Sequence, residues 1–248
     1  MYPKWRSFCG ILSLTASLAM LGCGSSGNSG VRVVNAAQGL GNFTVQVGQI
    51  GVASALPFGT EGVQPPGQYA TTDASGDYRA VSAGANQILS AYSAPGTTLV
   101  STTQSFLKNS AYTIVLEAPA PNIMLQTLTD DNTAPQSGDY KLRVMDTSTS
   151  AGAVDVYITA VRGTPGGTPV VGNINFQQVT SYLQLPPGTL EVQVTRAGNP
   201  SAVLATKAFS PAGGKGYSLF FLDPPIAGGS NYGVLIVNDP TGNTINSM

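Results

Sequence analysis

The sequence predicts an all-β protein built as two tandem β-sandwiches, and three observations predict it. Apolar and polar residues alternate at the period of a strand: Leu190, Val192 and Val194 interleave with Glu191, Gln193 and Thr195, and Tyr112, Ile114 and Leu116 alternate in the same way. Pro, Gly, Asn and Ser clusters break the chain at short intervals, and beyond the N-terminal segment no stretch of a dozen residues carries a helical stripe. The third observation is an internal repeat. Residues 31–35 match 142–146 and residues 43–47 match 154–158, both at an offset of 111. Phe58 faces Phe176 at 118, the run from Tyr78 to Gly84 matches Tyr182 to Gly188 at 104, and Tyr112 matches Tyr217 at 105. Pro119 then falls on Pro224. The offset changes only in turn-rich stretches, where the second copy gains 7 residues around 163–169 and the first gains 14 between Phe58 and Tyr78. So ordered a drift marks a duplication.

Composition narrows the chemistry. Of 248 residues 9% are charged and 42% hydrophobic, against roughly 25% charged in an average soluble protein. Thirty glycines and 17 prolines stay below a low-complexity share, so a packed, turn-rich fold is expected. Histidine is absent and the cysteines are Cys9 and Cys23, which removes His-based triads, histidine metal sites, CxxC pairs and disulfide frameworks. A net charge of −1 argues against a nucleic-acid surface.

Taken in order, the chain opens with Lys4 and Arg6 and then an uncharged apolar run at 8–20, too short to span a bilayer and fit for a signal-peptide core. Residues 20–23 (Met20, Leu21, Gly22, Cys23) resemble the bacterial lipobox, in which cleavage precedes a cysteine that receives lipid. An ordinary secretory signal with an incidental Cys23 is the alternative. The reading gives a lipoprotein signal peptide over 1–22, lipidation of Cys23, and a flexible Gly/Ser tether over 23–30. The mature chain then keeps 9 basic and 12 acidic residues, and lipid (palmitate among its chains) supplies the membrane attachment without a basic amphipathic helix. By resemblance to sorted lipoproteins, Gly24 after the cysteine favours the outer membrane in a bacterium with two membranes.

The first domain, 31–129, is predicted to carry strands near 31–35, 43–48, 78–81, 86–92, 98–106, 111–117 and 123–129. The second, 140–240, carries their counterparts near 140–146, 154–160, 182–185, 189–196, 202–209, 216–222 and 232–238. About seven strands in about 105 residues is the size of an immunoglobulin-like sandwich, a unit able to bury a core without disulfides. Gly84 and Gly188 each close a Tyr-led run, where a turn needing positive φ is expected. Tyr112 and Tyr217 open strands after turns, so their hydroxyls are placed to bond back to loop backbone. The polar, proline-marked stretch 130–139 reads as a linker and 241–248 as a fraying tail.

The paired openings at 31–35 and 142–146, the V-D-V-Y-I run at 154–158, the Pro186–Pro187–Gly188 turn and the Leu128 to Asn132 joint together resemble a bacterial family, domain of unknown function 4397. The resemblance spans 31–240, and the second copy is the nearer match, since Thr44 stands where Asp155 stands in the second. It implies a β-sandwich fold and an envelope location and hands over no catalytic residue.

Candidate sites are few. Asp130, Asp131 and Asn132 form an oxygen-rich cluster that could serve calcium, although Ala134 and Pro135 break the EF-hand spacing; a solvated linker is the plainer reading. Arg143 and Asp155 are expected on neighbouring strands as a cross-strand ion pair. The 213–216 stretch fails the phosphate-loop pattern and reads as a hairpin turn. Three glutamates, Glu61, Glu117 and Glu191, lie too scattered for a glycosidase pair, and no serine has a base, so no catalytic residue is assigned. The 62–74 insertion, with Tyr69, Thr71 and Asp73, and the 163–169 loop are the candidate contact surfaces, a neutral, tolerated insertion being the alternative. The expected function is a noncatalytic, lipid-anchored envelope module that binds a protein or polysaccharide. The rival is a spacer with no ligand. No cofactor beyond the lipid is expected, and the oligomeric state stays open.

Overall fold

Seventeen strands and no helix make up the residues described by the computed structural model, which are 27–39, 43–62, 78–94, 97–119, 121–239 and 241. In the first copy these are β1 (Asn28–Asn35), β2 (Phe43–Val47), β3 (Ile50–Leu56), β4 (Thr60–Gly62), β5 (Arg79–Ser82), β6 (Gly84–Ala94), β7 (Thr97–Phe106), β8 (Ala111–Glu117) and β9 (Met124–Asp130). The second copy holds β10 (Tyr140–Asp146), β11 (Val154–Ala160), β12 (Val171–Ile174), β13 (Leu183–Leu185), β14 (Leu190–Arg196), β15 (Asn199–Phe209), β16 (Gly216–Leu222) and β17 (Gly233–Asp239).

Each copy is a sandwich of two sheets. In the first, β4–β1–β8–β9, with β5 following β4 along the same edge of β1, packs on β3–β2–β6–β7. In the second, β13–β10–β16–β17 packs on β12–β11–β14–β15. The opening strand runs parallel to the strand beside it in both copies, and the register is the same: Val33 lies opposite Ile114, and Val144 opposite Leu219. The duplication thus persists down to the hydrogen-bond ladder.

Val31, Val33, Ile114 and Leu116 meet Phe43, Val45, Leu89 and Ala91 in the first core. Leu142, Val144, Leu219 and Phe221 meet Val154, Val156, Val192 and Val194 in the second. A third cluster joins the copies: Val34, Val115 and Leu128 pack with Met145, Phe220 and Val237. The four sheets therefore stack, with the β1 and β10 sheets inside. This explains why β8, β10 and β16 are buried along their whole length, polar residues such as Thr113, Lys141 and Arg143 included.

That third cluster covers the face of β8 on which its alternating polar residues lie. Thr113, Val115 and Glu117 are fully buried, because the face they form is covered by the second copy. On β14, Gln193 and Thr195 are buried too, and the Gln193 amide donates to the Gly163 carbonyl at 2.6 Å and to Thr159 Oγ1 at 3.0 Å. The 161–170 loop caps that face. Three strands go beyond the expected fourteen: β3, with its shifted register and Ala55 at φ 51, and the short β4 and β12. Gly84 and Gly188 do not have positive φ; in the first copy the left-handed position falls on Asn86 at φ 54, inside a bulge of β6. Gly213–Gly216 is not a hairpin turn but carries the chain from one sheet (β15) to the other (β16). The two tyrosines do tie back: Tyr112 Oη accepts from the Leu107 N–H at 2.9 Å and Tyr217 Oη from the Ala212 N–H at 3.0 Å.

Candidate functional site

Arg32 and Arg143 occupy the same repeat position, and the two-residue period of a strand turns both away from their own core toward the other copy. Arg32 pairs with Asp239, the last residue of β17, and Arg143 pairs with Asp130, the last residue of β9. Each copy thus supplies the cation for the other's anion. The surroundings repeat as well. The Nε of Arg32 donates to Thr113 Oγ1 at 2.8 Å, and that of Arg143 to Ser218 Oγ at 2.9 Å. Their Nη1 atoms donate to the Asn238 and Thr129 carbonyls. Tyr78 donates its hydroxyl to Asp130 at 2.6 Å and Tyr182 to Asp239 at 2.7 Å, while their rings lie 5.0 and 5.1 Å from the guanidiniums of Arg32 and Arg143.

All four charged side chains are buried. Desolvation makes a buried pair costly unless its remaining donors and acceptors are met, and here they are. Burial pushes the Asp239 carboxyl up, but Arg32, Arg143 and the Ser218 and Tyr182 hydroxyls outweigh it and hold the group below its ordinary value. Burial works against the Arg32 cation, yet Tyr78, Asp239, Asp130 and Glu61 keep it above its ordinary value. Burial, together with Asp130, raises Tyr78. Such groups are fixed in charge and engaged with one another, which suits a clamp rather than proton transfer.

Beside the clamp, at the seam, lies a cleft of about 610 Å³. Gln126, Thr127 and Thr129 of β9 form one wall and Thr180, Ser181 and Gln184 the other, with Arg143 and Tyr182 also in the lining. The lining is mostly hydroxyl and amide, and the Gln126 Oε1 is buried with no hydrogen-bond partner. With Asp131 also in the lining, the surface offers donors and acceptors to a ligand rich in hydrogen-bonding groups.

The sequence-predicted residues fall elsewhere or apart. Cys23, the 1–22 signal and Tyr69, Thr71 and Asp73 lie outside the described residues, as does the tail from 242. Of the residues flanking that stretch, Gly62 ends β4 and Tyr78 donates to Asp130 in the clamp. Asp130, taken as the head of a linker, ends β9 and is bound up with Arg143, Thr113 and Tyr78. Asp131 turns to Lys141 at 3.0 Å and to Thr133 instead. The Asn132 Oδ1 is buried and unpartnered. Asp130, Asp131 and Asn132 therefore do not converge on one point, and among the described residues no group of three or more acidic, histidine or cysteine side chains could hold a metal.

The 130–139 joint is itself pinned. Lys141, 1% exposed, donates to the carbonyls of Asp131 and Thr133 at 2.6 Å each and sits over the Tyr182 ring. The expected Arg143–Asp155 pair does not form, because β10 and β11 belong to different sheets; Asp155 accepts from the Asn173 and Gly198 N–H groups. Sequence reasoning missed the partners Asp130 and Asp239 as a pair, although both close the last strand of a copy, at an offset of 109.

A family model described as Domain of unknown function (DUF4397) matches the chain twice, over residues 29–157 and 160–247. The two matches divide near the end of β11, whereas the sheets divide between β9 and β10. No curated protein is found to match.

Proposed function

The chain belongs to the family described as Domain of unknown function (DUF4397), and on that premise we propose that it is a lipid-anchored cell-envelope protein that binds, without catalysis, a protein or polysaccharide. The observation that carries the binding reading is the cleft between β9 and residues 180–184, a hydroxyl- and amide-rich surface formed by both copies, with Asp131 and Arg143 also in its lining. The 62–74 insertion, with Tyr69, Thr71 and Asp73, is proposed as a further contact surface. Absence of histidine, and arginines and aspartates engaged with one another inside the seam, support contact over bond-making.

Anchoring rests on the lipobox-like residues 20–23 and places the body at a membrane through Cys23. Labelled palmitate is expected on the wild-type chain and absent from Cys23→Ser; labelling that survives that substitution, or never occurs, ends this part. For binding, the full chain is screened on a glycan array and against envelope extracts, with Thr180→Trp filling the cleft. A saturable ligand lost on that substitution upholds the reading. The spacer alternative draws on the pinned joint, since Lys141 fixes the linker as a rigid strut would need; it predicts no saturable ligand on either surface.

A further inference from the structure

Among the buried carboxyls outside the reciprocal clamp, two have an oxygen with no hydrogen-bond partner. Glu117 ends β8 and is fully buried at the seam; its Oε1 accepts from the Gln177 side-chain amide of the second copy at 2.9 Å, and its Oε2 has no partner. Asp146 ends β10, also fully buried; its Oδ1 accepts from the Ser148 N–H at 2.8 Å, and its Oδ2 has no partner. Gln177 connects the two. From a left-handed φ of 67° it sends its side chain to Glu117 while its own N–H donates to the Asp146 carbonyl at 2.8 Å.

The duplication shows what each position holds in the sister copy. Asn35 stands where Asp146 stands, at the offset of 111. Its Oδ1 accepts from the Ala37 N–H at 3.1 Å, as Asp146 Oδ1 accepts from Ser148 two residues on. Its Nδ2, however, donates to the Leu56 carbonyl at 2.9 Å. Asp146 presents an oxygen in the place of that donor, and a carboxyl donates only when it carries a proton. The counterpart of Glu117 is Leu222, again an uncharged side chain. In the sister copy both places hold uncharged side chains.

We propose that Glu117 and Asp146 are held as neutral carboxylic acids in the assembled chain and act as a proton-dependent latch, so that loss of their protons leaves buried, uncompensated charge at the seam and loosens the contact between the two copies. The groups around them fit this role. Asp146 feels Asp223 and Glu117, both acidic, and Glu117 has the uncharged Gln177 amide; no lysine or arginine contributes to either. Asp223 itself stays an anion: burial works against its charge, but Ser148, Ser150 and Thr149 hold it below its ordinary value, which discourages a second charge nearby. Burial first, with these neighbours after it, raises Asp146 to about 7, and burial raises Glu117 to about 7 against the Gln177 hydrogen bond.

Folded-state values above the unfolded ones mean that the folded chain binds more protons. The stabilisation is complete below the ordinary carboxylate range and is lost as pH rises to about 7. Each carboxyl then raises the unfolding constant about tenfold per pH unit within that window. The latch does not depend on what the cleft binds.

The test uses the full chain, carboxyl-carbon NMR titration, and urea unfolding from pH 5 to pH 8. Wild type is expected to show two carboxyls with apparent midpoints near 7, absent from Glu117→Gln and Asp146→Asn, and a falling unfolding midpoint that the double variant flattens. Exchange of seam amides in β8 and β10 is expected to speed up at pH 8 in wild type and not in the double variant. Titration of both groups near 4 overturns the proposal. So do midpoints near 7 with an unfolding profile or seam exchange that the variants leave unchanged. Should the variants fail to fold, the wild-type titration and its seam exchange decide alone.

Discussion

Asp239 holds together more of its surroundings than any contact within one sandwich could explain. It accepts from Arg32, Ser218 and Tyr182, and truncating it removes the nearer counter-charge of a buried guanidinium, leaving Glu61 at 3.6 Å. Breaking one side of a buried pair costs about 3–5 kcal/mol, so Asp239→Ala is expected to lose that much in urea unfolding, and Asp130→Ala a similar amount through Arg143. Replacing Arg143 and Asp130 together with apolar residues is expected to cost far less, since no stranded charge remains. The acid limb of stability belongs to this scale too. Asp239 and Asp223 are held below their ordinary values, so the stabilisation they bring is present above the unfolded carboxylate value and is lost as pH falls through their depressed ones. A thermal-melt series below pH 4 is expected to show that loss, and Asp239→Ala to show a smaller one.

At the scale of strands, alternation and turn chemistry made fourteen of the seventeen strands legible, because each of those has a core-facing face that the period of two exposes. β3 stayed hidden because its bulged register and small residues blur the alternation, and β4 and β12 because three or four residues carry too little pattern. The Tyr112–Ile114–Leu116 alternation located β8 correctly and misled about its other face. Thr113 and Glu117 look solvent-facing in sequence, yet a second layer covers them, and nothing local records that layer. The joint gives the same lesson. Residues 130–139 have a linker's composition, but Lys141, where the repeat has Gly30, fastens them by two carbonyls and a carboxylate. Lys141→Met is expected to release this stretch, read as faster limited proteolysis between Asp131 and Asp139 with the sheets left intact. Unchanged cleavage would mean that packing against Tyr182 alone holds the joint.

Across the whole molecule, the repeat does more than double a domain. Because each arginine reaches the far copy's terminal aspartate, and Val34, Val115 and Leu128 pack on Met145, Phe220 and Val237, the two sandwiches complete one another. Fold class and duplication were readable from offsets of 104 to 118. The clamp was not, since its pairs are separated by as many as 207 positions and form only once the copies stack. The cleft shares that origin, being lined from both copies. Residues such as Gln126 and Thr180 carry no motif, so only the assembled seam brings them together.

The most direct measurement of that seam is residue-resolved hydrogen exchange of the full chain across a urea series, comparing amides of β1 and β8 with those of β10 and β16. One shared transition is expected in wild type, and Asp130→Ala, a change in the first copy, is expected to lower the protection of both copies together. Two separated transitions in wild type, or a loss confined to the first copy, would contradict a body held by reciprocal ion pairs.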